Sequence, residues 1–147
     1  MQTSQQAGYS NTPLARKLGI GSACKLLLID PPEGYLAYLG PLPEAVELRD
    51  GADAEVDLVQ IFVSDQDLLI RQLSELRARL GPEAVIWVSW PKKASKLPST
   101  VSEDSIRAAA LPLGYLDVKV CAVDAVWSGL KLVVRKALRA EWMRGAS

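Results

Sequence analysis

Between Ala84 and Pro91 the chain reads Val85-Ile86-Trp87-Val88-Ser89-Trp90, without a single charge. A run this short is a strand rather than a helix, and its lack of polar alternation means cover on both faces. Gly81-Pro82 before it and Pro91 after it bound the run, since proline cannot donate to a central ladder. A strand covered twice requires helices above and below, which predicts a largely parallel α/β sheet. The segment that follows, Pro91-Lys92-Lys93-Ala94-Ser95-Lys96, is a cationic loop at the strand's carboxyl end. Open α/β sheets place their ligand sites at that edge.

The flanking elements agree with this frame. Thr12-Pro13 followed by Leu14, Leu18 and Gly19 predicts a short helix with Thr12 as cap, Pro13 at the first helical position and glycine as terminator. Lys25–Ile29 is an apolar strand. It is followed by Asp30-Pro31-Pro32-Glu33-Gly34 and a short helix, Tyr35–Leu39. Val46–Asp50 alternates like an edge strand, and Val56–Val63 is a further strand, apolar but for Asp57 and Gln60. The turn between them is too short for a crossover helix. Leu69, Leu73, Leu76 and Leu80 fall at helical spacing and predict a long helix, with Ser64 as its cap and Asp67 three residues on. Thr100 or Ser102 caps another helix through Leu111. Strands at Leu116–Val123 and Leu130–Val134, joined by Asp124–Gly129, form an antiparallel pair. Residues 1–8 read as frayed, and residues 137–147 as a short amphipathic helix or tail.

In this order the elements make a single α/β domain over 1–147. It is a three-layer, Rossmann-like arrangement of about six strands with an antiparallel carboxyl-terminal edge pair, similar to a shortened methyltransferase-type sheet. Gly8-Tyr9-Ser10-Asn11-Thr12-Pro13-Leu14, Pro32-Glu33-Gly34-Tyr35, Trp87-Val88-Ser89-Trp90-Pro91-Lys92-Lys93 and Trp127-Ser128-Gly129-Leu130-Lys131 together resemble a family of small bacterial proteins classed as a domain of unknown function. That resemblance implies kinship and supplies no catalytic or binding residue.

Composition narrows the chemistry. Basic and acidic side chains number 17 each, so no global field favours nucleic acid or an anionic membrane. Histidine is absent, which removes the commonest general base and metal ligand. Cys24 and Cys121 adjoin apolar strands and read as buried free thiols. No apolar run reaches the length that spans a bilayer, and the amino terminus lacks a signal-peptide pattern. A cytoplasmic setting is expected, and no cofactor or metal.

If the sheet is parallel, its carboxyl rim gathers Asp30, Asp65, Trp90, Lys92, Lys93, Lys96, Trp127 and Ser128. The leading expectation is a non-enzymatic domain binding an anionic small molecule or partner there. The lysines would supply charge, and Trp90 and Trp127 the walls. A divergent transferase is the alternative. Against it stand Pro31 and Pro32, which remove two amide donors where an adenosyl cofactor is ordinarily cradled. Asp50 occupies the place of a ribose-binding acid but reads as an exposed strand-end residue. Ser89 or Ser95 beside Lys92 is a conceivable nucleophile pair, and Asp30 with Asp65 a conceivable acid–base pair. A third reading is an interaction module. Its surface would be Lys131, Arg135, Lys136, Arg139 and Arg144, with Trp142 and Met143 as apolar anchors.

Overall fold

The computed structural model describes residues 13–142. Six strands form one sheet in the order β2-β1-β3-β4-β6-β5: β1 Lys25–Ile29, β2 Glu47–Arg49, β3 Leu58–Phe62, β4 Val85–Pro91, β5 Tyr115–Ala122 and β6 Trp127–Val134. β1 pairs in parallel with β2 and β3, and β3 with β4. β6 runs antiparallel to both β4 and β5. The expected mainly parallel sheet with an antiparallel edge pair is therefore present, and β4 lies inside it with Ile86, Trp87, Val88 and Ser89 all buried.

Among the described residues four α-helices cover the sheet: α1 Leu14–Leu18, α2 Tyr35–Leu39, α3 Gln66–Arg79 and α4 Glu103–Ala110. Strand alternation sends successive side chains to opposite faces, and two apolar cores result. One joins Val59, Ile61, Ile86, Val88, Leu130 and Leu132 to α3 and α4. The other joins Leu26, Leu58, Phe62 and Trp87 to Ala15 and Leu18 of α1 and to Tyr35 and Leu39 of α2. The leucine stripe of α3 is buried as its spacing requires, Leu69 and Leu73 completely. Cys24 and Cys121 are buried free thiols, and burial raises the pKa of both.

Several local expectations are corrected. α3 is capped by Asp65, whose carboxylate accepts from the Leu68 amide at 2.9 Å. Ser64 lies one residue too early, and its carbonyl accepts from the Thr100 amide instead. Ser102, not Thr100, caps α4 in a reciprocal pair with Ser105, while the Thr100 hydroxyl accepts from the Gln66 amide at 2.7 Å. Pro13 stands at the cap of α1 rather than inside it, and Thr12 and residues 1–8 lie outside the described residues. The β5–β6 turn is tighter than the spacing suggested. The Asp124 carboxylate accepts from the Val126 and Trp127 amides at 2.8 and 2.7 Å, so Trp127, Ser128 and Gly129 already belong to β6.

The carboxyl-terminal segment is a 3-10 helix, Lys136–Glu141, rather than an amphipathic α-helix. Trp142 after it is 1% exposed and packs in the same core as α3. It is therefore no anchor for a partner, because the chain's own core consumes it; Met143 and Arg144 lie outside the described residues.

Arg107 on α4 ties the helix to the sheet edge. Its Nε donates to Asp117 on β5 at 2.8 Å, and it pairs with Asp104 at 3.1 Å and with Glu103. The hydrogen bond from Arg107 holds the Asp117 carboxyl below its ordinary pKa. A group with a depressed folded pKa stabilises above its unfolded value and loses that contribution as pH falls through the folded one. Arg107→Gln is expected to lower stability slightly at pH 7, as for a solvent-exposed ion-pair network. The gap from the parent in urea unfolding should close in acid, as Asp117 takes up its proton. A gap that persists there would show that Arg107 acts through packing.

Candidate functional site

Parallel pairing brings the carboxyl ends of β1, β3 and β4 to one rim, and β6 enters at that rim because its register sets Trp127 opposite Pro91. Asp30, Asp65, Lys92, Lys93, Lys96, Trp127 and Ser128 thus share an edge of the sheet.

The two indoles are separated by the sheet itself. The register pairs Trp90 with Ser128 and Pro91 with Trp127, and directly opposed residues share a face. Trp90 accordingly packs against the core under α3 and α4. Trp127 packs against the other core, edge-on to Phe62 with centroids 5.2 Å apart. They cannot wall a single planar ligand. Asp65 is engaged as a cap, so an Asp30–Asp65 acid–base pair has no support in the geometry.

The hydroxyls considered as nucleophiles are also occupied. Ser89 is fully buried, and its Oγ accepts from Gln60 Nε2 at 3.1 Å. Gln60 Oε1 in turn accepts from the Tyr35 hydroxyl at 2.7 Å. This chain of polar groups satisfies a buried glutamine that would otherwise cost heavily inside an apolar sheet. Burial raises the Tyr35 phenol far above its ordinary pKa, so it stays protonated and keeps donating. Ser95 donates to the Lys92 carbonyl at 2.6 Å and accepts from the Leu97 amide at 3.2 Å, a turn-forming role.

The loop after β1 takes an unusual path. Asp30 has φ of 55°, left-handed, immediately before Pro31. Such conformations are sparsely populated and persist only when surroundings impose them. Gly34, at φ of 79°, then starts α2 and delivers the Tyr35 ring edge-on to Phe62, with centroids 4.7 Å apart. Tyr35, Phe62 and Trp127 close the rim on the α1/α2 face with aromatic packing.

On the opposite face the rim is open. A cleft of about 540 Å³ has β1 residues Leu27–Ile29 as its floor and Asp30 and Asp50 at its strand-end lip. Gln72, Glu75 and Arg79 of α3 make its wall. It exists because the β2–β3 connection crosses β1 as a short loop, where a crossover helix would otherwise lie. Gln72 Oε1 is shielded from solvent and accepts no hydrogen bond among the described residues. None of the three lysines lines this cleft; Lys93 and Lys96 are exposed and Lys92 half-buried on the β4–α4 loop. Three carboxylates against one guanidinium suit hydroxyls or a cation, not the anion that the lysines suggested.

The sequence gives Asp50 as an exposed strand-end residue, and the fold sets it at the lip of this cleft. Gln72, Glu75 and Arg79 are not among the residues it singles out. Their spacing of three and four residues puts them on one helical flank beside the leucine stripe, and together with the missing crossover helix that was a usable signal.

Comparison with solved structures agrees with this architecture. The fold resembles a SAM-dependent methyltransferase from Aquifex aeolicus (TM-score 0.62, 18% identity, 82% of this chain and 88% of that one). It also resembles a putative type 11 methyltransferase from Sulfolobus solfataricus (TM-score 0.60, 13% identity, 84% and 90%). Aeropyrum pernix fibrillarin with natively bound S-adenosyl-L-methionine is similar at a TM-score of 0.53, with 13% identity over 86% of this chain and 70% of that one. Identities this low establish likeness of fold. No protein-family model matches the chain, and no curated protein matches it.

No helix among the described residues is long and apolar enough to cross a membrane.

Proposed function

We propose that this chain is a small-molecule-binding domain of the methyltransferase fold, with a ribose-bearing ligand of the nucleoside class held in the Asp30–Asp50–Gln72 cleft. The observation that carries this reading is the acid-lined cleft itself, at the carboxyl ends of the two strands where folds of this type hold nucleosides. Its volume lies within the range of small-ligand sites. Asp50 would accept from ribose hydroxyls. The carboxylates favour neutral or positively charged ligands such as S-adenosylmethionine over nucleotides.

The residues fit the adenosine half of that molecule better than its amino-acid half. Pro31 and Pro32 offer no amide donors, and Tyr35 fills the space beside the loop with its buried ring. Binding rather than turnover is the role this supports, since Ser89 and Ser95 are held in internal hydrogen bonds.

Calorimetric titration with adenosine, S-adenosylmethionine and methionine tests the reading. Adenosine and S-adenosylmethionine should bind within about tenfold of each other, and methionine not at all. Asp50→Asn should weaken both by about 10- to 100-fold, the worth of a hydrogen bond to a charged group. An absence of heat with both nucleosides, or an Asp50→Asn variant that binds like the parent, would overturn it.

A further inference from the structure

The lysine loop is a separate feature, and its structure is more definite than that of a solvated charge run. Its ends are pinned: the Lys92 amide donates to the Val126 carbonyl at 2.7 Å, and the Thr100 amide to the Ser64 carbonyl at 2.9 Å. Between them Lys93–Ser95 form a 3-10 turn, closed by Lys96 in the left-handed region with φ of 62°. The Ser95 hydroxyl bridges the Lys92 carbonyl and the Leu97 amide. The segment from Pro91 to Ser102 contains no acid. None of Lys92, Lys93 and Lys96 is in an ion pair among the described residues, where the ion pairs gather on Arg49 and Arg107. Leu97 beside them is 48% exposed.

We infer that this turn is a docking surface for a short acidic segment of a partner protein. Small-molecule sites are concave, whereas Lys93, Ala94, Lys96 and Leu97 are all exposed and the nearby cleft excludes them. An exposed turn held in one conformation loses little entropy when a partner settles on it. Three unpaired cations beside one exposed leucine match carboxylates that flank an apolar residue. Exposed Asp65 and Asp67 stand at the start of α3, which Thr100 ties to the loop. They repel a long polyanion, and the balanced total charge gives a nucleic acid no wider surface to follow. A segment of a few acidic residues fits between these limits.

Fluorescence anisotropy with a labelled peptide of sequence Glu-Glu-Leu-Glu-Glu-Leu provides the test. The peptide should bind the full chain, and raising salt from about 0.03 to 0.3 M should weaken binding by about tenfold or more as the charges are screened. A Lys92→Gln/Lys93→Gln/Lys96→Gln variant should lose at least about tenfold in affinity, and Leu97→Ser a smaller factor. The inference is overturned if the peptide does not bind or if the triple variant binds it like the parent. It is equally overturned if oligouridylate or inorganic phosphate competes better than the peptide, which would assign the turn to phosphate groups. Adenosine titration into the same triple variant separates this surface from the cleft: loss of peptide binding with adenosine binding intact leaves the two as distinct sites.

Discussion

Trp87→Ala should destabilise the protein by about 3–5 kcal/mol, the range for deleting a large buried aromatic side chain. Trp87 is fully buried in the centre of β4, and its indole Nε1 donates to the Leu18 carbonyl at 2.7 Å. That bond fastens the end of α1 to the sheet across a sequence distance that no local interaction spans. Gly129 of β6 makes room for the ring: a methyl group built there would stand 3.2 Å from Trp87 Cε3. Trp87→Phe retains much of the apolar burial but leaves the Leu18 carbonyl without its donor. It should still cost about 1–3 kcal/mol, the penalty of an unsatisfied buried acceptor. Urea unfolding would read both as lower midpoints at an unchanged slope. A Trp87→Phe variant as stable as the parent would show that the indole–carbonyl bond contributes nothing.

Trp142 should behave differently under the same pair of changes. It is equally buried, with its ring edge-on to Tyr115 at 5.3 Å between centroids and the Arg77 guanidinium 3.4 Å above the ring centroid. Arg77 also donates to the Leu113 and Trp142 carbonyls, so Trp142 is clamped to α3. Trp142→Ala should therefore cost about 3–5 kcal/mol, a large effect for a residue so near the carboxyl end. Its Nε1, however, has no hydrogen-bond partner among the described residues, and neither has the Tyr115 hydroxyl. Burial pushes the Tyr115 phenol up to about 12. Trp142→Phe removes an unsatisfied donor along with some volume and should cost less than about 1.5 kcal/mol. Equal costs for Trp87→Phe and Trp142→Phe would contradict the distinction between a bonded and an unbonded indole. The backbone at Gly114 belongs to the same clamp. At φ of 98°, a methyl group there would lie 2.8 Å from Leu138 and 3.0 Å from Trp142, so no larger residue fits without moving both.

Sequence alone determined the elements whose signals are local. The uncharged run became β4, the leucine spacing became α3, and Gly34 and Gly40 bounded α2. The order of these elements implied a mainly parallel sheet closed by a hairpin, because alternating strands and helices favour parallel crossovers while a short turn joins antiparallel neighbours. Gln60 stands out in the sequence as a polar exception in an apolar strand, and the fold supplies its partners, Tyr35 and Ser89.

What only the tertiary structure decided depends on register and on which elements become neighbours. Alternation along β4 and β6 tells which residues of each strand share a face. It does not tell which face of one strand matches which face of the other. The pairing of Pro91 with Trp127 settled that, and it put the two rim tryptophans on opposite sides. The cleft needed α3, the lip of β1 and β2 and a short crossover to meet in space, and no window of sequence contains all three. Trp142, a candidate apolar anchor in a basic segment, is likewise set by the fold between Tyr115 and Arg77. The carboxyl end of Val85–Trp90 thus carries a positioned basic turn, while the acid-lined cleft lies two strands away at the end of β1, where distant parts of the chain meet.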